Sequence, residues 1–182
     1  MAIPTLNAVG FCAHYSDQGD WAFDYALKLS KLHSLQLNVF HFLTDPYSSD
    51  NDNVEKMQPD EIKKLSIQKE KELRMYYDKR AGDYLEVGFR LCEHAEWTEL
   101  HRCLLVQEFQ VLVLGYISKG IKFGRYPIEE FAEKFISPVV LIGPKGPDEV
   151  YLNSRAALIA EKLGLEGISW QKLSQNQSNI NV

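Results

Sequence analysis

The sequence predicts an α/β protein, a five-stranded, mostly parallel, doubly wound sheet with helices on both faces. Two observations carry that expectation. Short, near-continuous apolar runs alternate with segments of helical periodicity, and the runs hold too few polar residues for strands with one solvated face. Strands that alternate with helices are joined by right-handed crossovers, which lay the helices on the sheet.

The first strand is Leu6–Ala13 (LNAVGFCA). Trp21, Tyr25, Leu29 and Leu32 then recur at helical spacing with Ala22 and Ala26 beside them, and Asp17 or Asp20 is the expected N-cap. The second strand is Leu35–Leu43 (LQLNVFHFL), followed by a polar excursion over Pro46–Gln58, rich in Ser, Asp and Asn. A helix over 59–81 opens at Pro59 with Asp60 and Glu61 in its first turn and stops at Gly82. Ile62, Leu65, Leu73 and Tyr76 mark its inward face, and Glu70 with Arg74 forms an i,i+4 pair. Leu85–Cys92 alternates over half its length and is the weakest strand.

A third helix spans about 95–108, with Leu100, Leu104 and Trp97 inward, and leads into the strand Val111–Gly115. The fourth helix starts at Pro127, turning Ile128, Phe131 and Phe135 inward with Glu129 and Glu130 near its positive end. The fifth strand is Pro138–Ile142, whose opening proline a strand start tolerates. After Gly143 the composition changes. Residues 1–144 therefore read as the domain. Residues 145–182 read as an extension: a linker-like PKGPDE, a short helical pattern over Leu152–Leu163 ending at Gly164, and the polar tail SQNQSNINV.

The 182 residues suffice for one domain with a substantial core. A net charge of −5 gives no general attraction to nucleic acid or to an anionic membrane, so neither is expected as a partner. No apolar run reaches membrane-spanning length, and the N-terminal stretch is broken by Pro4 and Asn7. Three cysteines, Cys12, Cys92 and Cys103, are an odd number that suits a reducing cytoplasm.

Little in the chain points to catalysis. It has no G-x-S-x-G elbow, no dinucleotide-binding glycine fingerprint and no Walker sequence, so no catalytic residue is assigned. Cys92, His94, His101 and Cys103 form a C-x-H-x6-H-x-C constellation with the donors of a zinc site. His101 and Cys103 lie two apart on a helix, about 200° around its axis, and so do not face one metal. No metal is expected. His14, at a strand end, reads either as a ligand contact or pH-sensitive group, or as a loop histidine bonded to backbone. His41, inside an apolar strand, reads as a core residue.

Three segments in order resemble the universal stress protein family. Ala26–Leu43 (ALKLSKLHSLQLNVFHFL) is similar to its first helix running into its second strand. Glu108–Gly115 (EFQVLVLG) resembles a helix end with the fourth strand, and Glu129–Pro144 (EEFAEKFISPVVLIGP) the closing helix and strand. The resemblance covers residues 5–144 and implies an adenine-nucleotide α-hydrolase-like sheet and a homodimer through the last strand.

Members of that family that bind ATP carry an Asp at the end of the first strand and a Gly-x-x-Gly-x9-Gly-Ser/Thr loop whose amides cradle phosphates. In this chain His14 stands at the strand-end position, Gly115 keeps the first glycine, and Ser118 replaces the second. Gly124 arrives about four residues early, followed by Arg125. These departures argue against ATP in the usual pose. Lys119, Lys122 and Arg125, beside Gly120 and Gly124, read equally as an anion site and as a solvated basic turn. The candidate ligand-binding residues are His14, Ser16, Phe42, Gly115, Ser118, Lys119, Gly124 and Arg125.

The resemblance implies a non-catalytic signalling or stress-response module that senses a small ligand or docks an unidentified protein partner. The alternative is an adenine-nucleotide (AMP or ATP) binder with a variant phosphate loop and weak ATPase activity.

Overall fold

The structure, a computed structural model, describes residues 5–48, 57–92 and 97–173. The five expected strands form: β1 (Ala8–Cys12), β2 (Gln36–Phe42), β3 (Val87–Cys92), β4 (Val111–Gly115) and, after a short hairpin of β5 (Lys122–Phe123) and β6 (Tyr126–Pro127), β7 (Val139–Ile142). The five pair in parallel in the order β3-β2-β1-β4-β7. β1, β4 and β7 are buried along their whole length, as strands covered on both faces must be.

Helix α1 (Asp17–His33) and helix α2 (Pro59–Ala81) cover one face of the sheet. Helix α3 (Trp97–Leu105) and helix α4 (Ile128–Lys134) cover the other. The chain therefore changes face after β3, and the strand order reverses between β1 and β4. Ligands of open α/β sheets bind in the crevice at such a switch point.

Three details of the helices differ from expectation. The N-cap of α1 is Ser16, whose Oγ accepts from the Gly19 amide at 2.9 Å, in place of Asp17 or Asp20. The carboxylates of Asp17 and Asp20 sit in the first turn instead, where the helix dipole favours them. The inward face of α1 is carried by Ala22, Phe23, Ala26 and Leu29, while Leu32 is 61% exposed. Small residues let the helix lie close to the sheet, and that contact outweighs the pull of the larger Trp21 and Tyr25. In α2 the buried residues are Leu73, Tyr77 and Ala81, with Gly82 ending the helix at φ 64°. Trp97's side chain, like residues 49–56 of the polar excursion and 174–182 of the tail, lies outside the described residues.

Among the described residues the sheet has seven strands, not five. Strand β8 (Val150–Leu152) pairs antiparallel with β7, and β9 (Gln171–Lys172) pairs parallel with β8. The segment after Gly143, which reads in the sequence as linker and short helix, thus continues the sheet. Between these strands lies a short helix, α5 (Ser154–Ala157), capped by Asn153. Asn153 is fully buried and makes four hydrogen bonds. Its Oδ1 accepts from the Val139 and Ala156 amides, and its Nδ2 donates to the Ala132 and Ser137 carbonyls. One side chain therefore fastens α4, β7 and α5 together.

Candidate functional site

Two features meet at the carboxyl ends of the strands: the first turn of α1 and the segments that follow β2 and β4. Gly115 ends β4 directly beneath that turn. A Cβ there would stand 2.9 Å from the Gly19 nitrogen and 3.0 Å from the Gln18 carbonyl carbon, so the glycine permits backbone to touch backbone. The crevice at this point is filled by the protein itself.

The segment after β4 is a β-hairpin. Strands β5 and β6 pair antiparallel, with Gly124 and Arg125 as the two-residue turn between them. Gly124 takes φ 64°, which glycine supplies without strain, and its amide donates to the Pro46 carbonyl at 2.8 Å. Phe123 is fully buried, its ring 5.2 Å from Tyr47 and 4.7 Å from Phe131. The Gly120 amide, one of those that read as an anion donor, donates to Glu129 of the same chain. A carboxylate already meets the loop where a phosphate would have to.

Of the expected site residues, the structure brings His14, Ser16 and Phe42 to one place and puts Ser118, Lys119, Gly124 and Arg125 in another. His14 Nδ1 lies 2.8 Å from Ser16 Oγ, and His14 Nε2 lies 3.8 Å from Asp45 Oδ2, an ion-pair separation. The Tyr47 ring packs edge-on against His14 at 4.5 Å, and its hydroxyl donates to the Gly115 carbonyl at 2.8 Å. Tyr47 thus plugs the space between β1 and β4, and burial pushes its hydroxyl pKa well up. The neighbouring His14 holds the Asp45 carboxyl below its usual range, so this carboxylate is ionised at neutral pH.

Beside this plug lies a cavity of about 270 Å³, between the ends of β1 and β2 and helix α2. His14 and Phe42 line it, together with Tyr15, His41, Asp45, Lys69, Glu72 and Leu73. His41 is 5% exposed, and neither ring nitrogen has a hydrogen-bond partner. Burial lowers its pKa against a weaker opposing pull from Glu70, so the ring is neutral. The Arg90 backbone acts on its charge without completing a hydrogen bond. Lys69 donates its ammonium to the Leu43 carbonyl at 2.8 Å.

Sequence reasoning misses Asp45, Lys69, Glu72 and the plugging pair Tyr47 and Phe123. Nothing in residue spacing joins α2 to the β2 end, since the polar excursion separates them. Of the zinc constellation, Cys92 and Cys103 are buried and neither is in a disulfide, while His94 lies outside the described residues.

The fold and site define a doubly wound α/β protein with a small polar cavity beside its switch point. No family model and no curated protein matches the chain. Among solved structures it is similar to a universal stress protein family member from Burkholderia pseudomallei, at 17% identity and TM-score 0.52, over 76% of this chain and 96% of the other. A universal stress protein from Lactobacillus plantarum matches at 12% identity and TM-score 0.51, covering 75% of this chain and 97% of its own. The chain has the universal stress protein fold.

Proposed function

We propose that this protein is a divergent universal stress protein that works in the cytoplasm as a non-catalytic sensing module of the stress-response type. Its ligand is a small molecule seated in the cavity between β1, β2 and α2. The observation that carries this reading is the cavity, about 270 Å³ lined by charged and apolar side chains, with the unpartnered, neutral His41 imidazole in its wall. A buried polar group left unpaired costs roughly 1–3 kcal/mol, which a bound ligand can recover.

The alternative, an adenine-nucleotide binder with a variant loop and weak ATPase activity, keeps the same end of the sheet as its site. Against a triphosphate stand the hairpin, the Tyr47 plug and the Glu129 carboxylate on the Gly120 amide. A homodimer is also part of the proposal, with one change from the expectation. The outer edge of β7 is paired within the chain by β8, so a second copy extending this end of the sheet would meet β9.

Thermal denaturation with adenosine, AMP, ADP, ATP and a set of small polar ring compounds tests the reading. A ligand at a hundred times its Kd stabilises the protein by about 2.7 kcal/mol. We expect at least one small ring compound to raise Tm, and an Ala13→Leu variant, which fills the cavity from β1, to lose the effect. A rise that grows from adenosine to ATP would favour the nucleotide reading. No rise with any compound would leave partner docking as the function.

A further inference from the structure

We infer that the cavity selects a small aromatic amine, a single ring bearing a cationic group, and discriminates against anions, nucleotides included. The inference rests on the small-ligand reading above and names the chemical class of its ligand. Four observations support it, each drawn from the cavity wall.

Size comes first. About 270 Å³ exceeds the roughly 150 Å³ apolar cavity that takes a benzene ring, so one ring with a short substituent fits. A ring with a ribose and phosphates would extend well beyond it. Second, the walls suit a ring. Phe42 and Leu73 are buried apolar surfaces, and Tyr15, 57% exposed, stands at the mouth, its ring held edge-on by Tyr76 at 5.1 Å.

Third, the charge balance is negative. Asp45 and Glu72 face a single ammonium, that of Lys69, which is already committed to the Leu43 carbonyl. Asp45 is held in its ionised form by His14, whose Nε2 lies 3.8 Å from Oδ2, while Oδ1 accepts from the Tyr47 amide at 2.9 Å. A cation at the mouth would meet two carboxylates, whereas a phosphate or carboxylate would be repelled by both. Fourth, neutral His41 on the cavity wall carries one N–H donor and one acceptor, both buried and without a partner in the protein, which a turn of the ring would bring to a ligand. A ring hydroxyl answers one of the two, donating to the bare nitrogen or accepting from the N–H.

Three compounds of one size separate the terms: tyramine, 4-ethylphenol and 4-hydroxyphenylacetate carry a cation, no charge and an anion on the same phenol. Calorimetry on the full chain at pH 7 should find tyramine binding about tenfold tighter than 4-ethylphenol and the anion weakest, as expected of partly solvated charge pairs. A D45N/E72Q variant should bring all three within about twofold of one another. The carboxamide that replaces the Asp45 carboxylate keeps an oxygen to accept from the Tyr47 amide, so the variant should fold, and its Tm checks this. Equal or tighter binding of 4-hydroxyphenylacetate would overturn the amine preference while leaving the small-ligand reading intact, and so would a variant that keeps the preference. Binding of none of the three overturns the inference, and the separate nucleotide and ring-compound screen then decides the reading beneath it.

Discussion

His41 lies in the middle of the candidate site and sets a pH dependence that belongs to this one residue. Its folded-state pKa is lowered, chiefly by burial, below the ordinary value of about 6.5. Near neutral pH the ring is unprotonated in both folded and unfolded chains and contributes no pH dependence. As pH falls below about 6.5 the unfolded chain takes up the proton first, so stability is lost until the folded-state pKa is passed. Asp45 is also lowered, but its loss falls below the ordinary carboxylate range and stays out of this window. Urea unfolding at pH 7.5 and 5.0 should show stability lost on acidification from this group, and a His41→Phe variant should show a flatter profile. An unchanged slope in the variant would remove His41 from the account. Gly115 makes the opposite kind of residue-scale point: it is legible in the sequence as a special glycine, and the structure shows that it makes room for the α1 backbone.

At the scale of elements, the segment after β4 folds as the β5–β6 hairpin. Its turn residues, Gly124 and Arg125, are those that read in the sequence as a displaced phosphate motif. A two-residue turn with glycine first is a strong hairpin signal, but the flanking strands are two residues each and too short to show periodicity. What holds the hairpin is Phe123, packed among Phe42, Tyr47 and Phe131. Phe123→Ala should cost about 3–5 kcal/mol in chemical denaturation, the range for a fully buried aromatic. A loss below about 1 kcal/mol would show that the hairpin stands without its anchor.

For the whole molecule, the segment after Gly143 is part of the sheet and contributes to both faces of the core. Val150, Leu152, Ile159, Leu163 and Leu165 pack on the side of α1, and Tyr151 and Leu173 on the side of α4. A chain ending at Pro144 would expose their partners and leave the outer edge of β7 unpaired, an open invitation to strand-to-strand association. Light scattering should show such a truncation self-associating or aggregating, with Tm lowered or cooperative unfolding lost. A truncated chain that keeps its Tm and its mass distribution would show the extension to be dispensable. No helix among the described residues is long and apolar enough to cross a membrane.

By itself the sequence determined the doubly wound core. The buried strands are apolar runs because both their faces are covered, and α1, α2 and α4 start at residues whose capping or dipole chemistry is local. Cavity and extension escaped it for a physical reason. β8 and β9 are too short to carry a period, and the segment that follows β8 is fastened to β7 by Asn153, whose four partners are spread from Ala132 to Ala156. Asp45, Lys69 and Glu72 meet His14 and His41 because α2 packs across the ends of β1 and β2, and no spacing along the chain encodes that contact. The glycines and basic residues after β4 are visible in the sequence. They close a hairpin held by the burial of Phe123 and by Glu129 reaching the Gly120 amide, both consequences of tertiary packing.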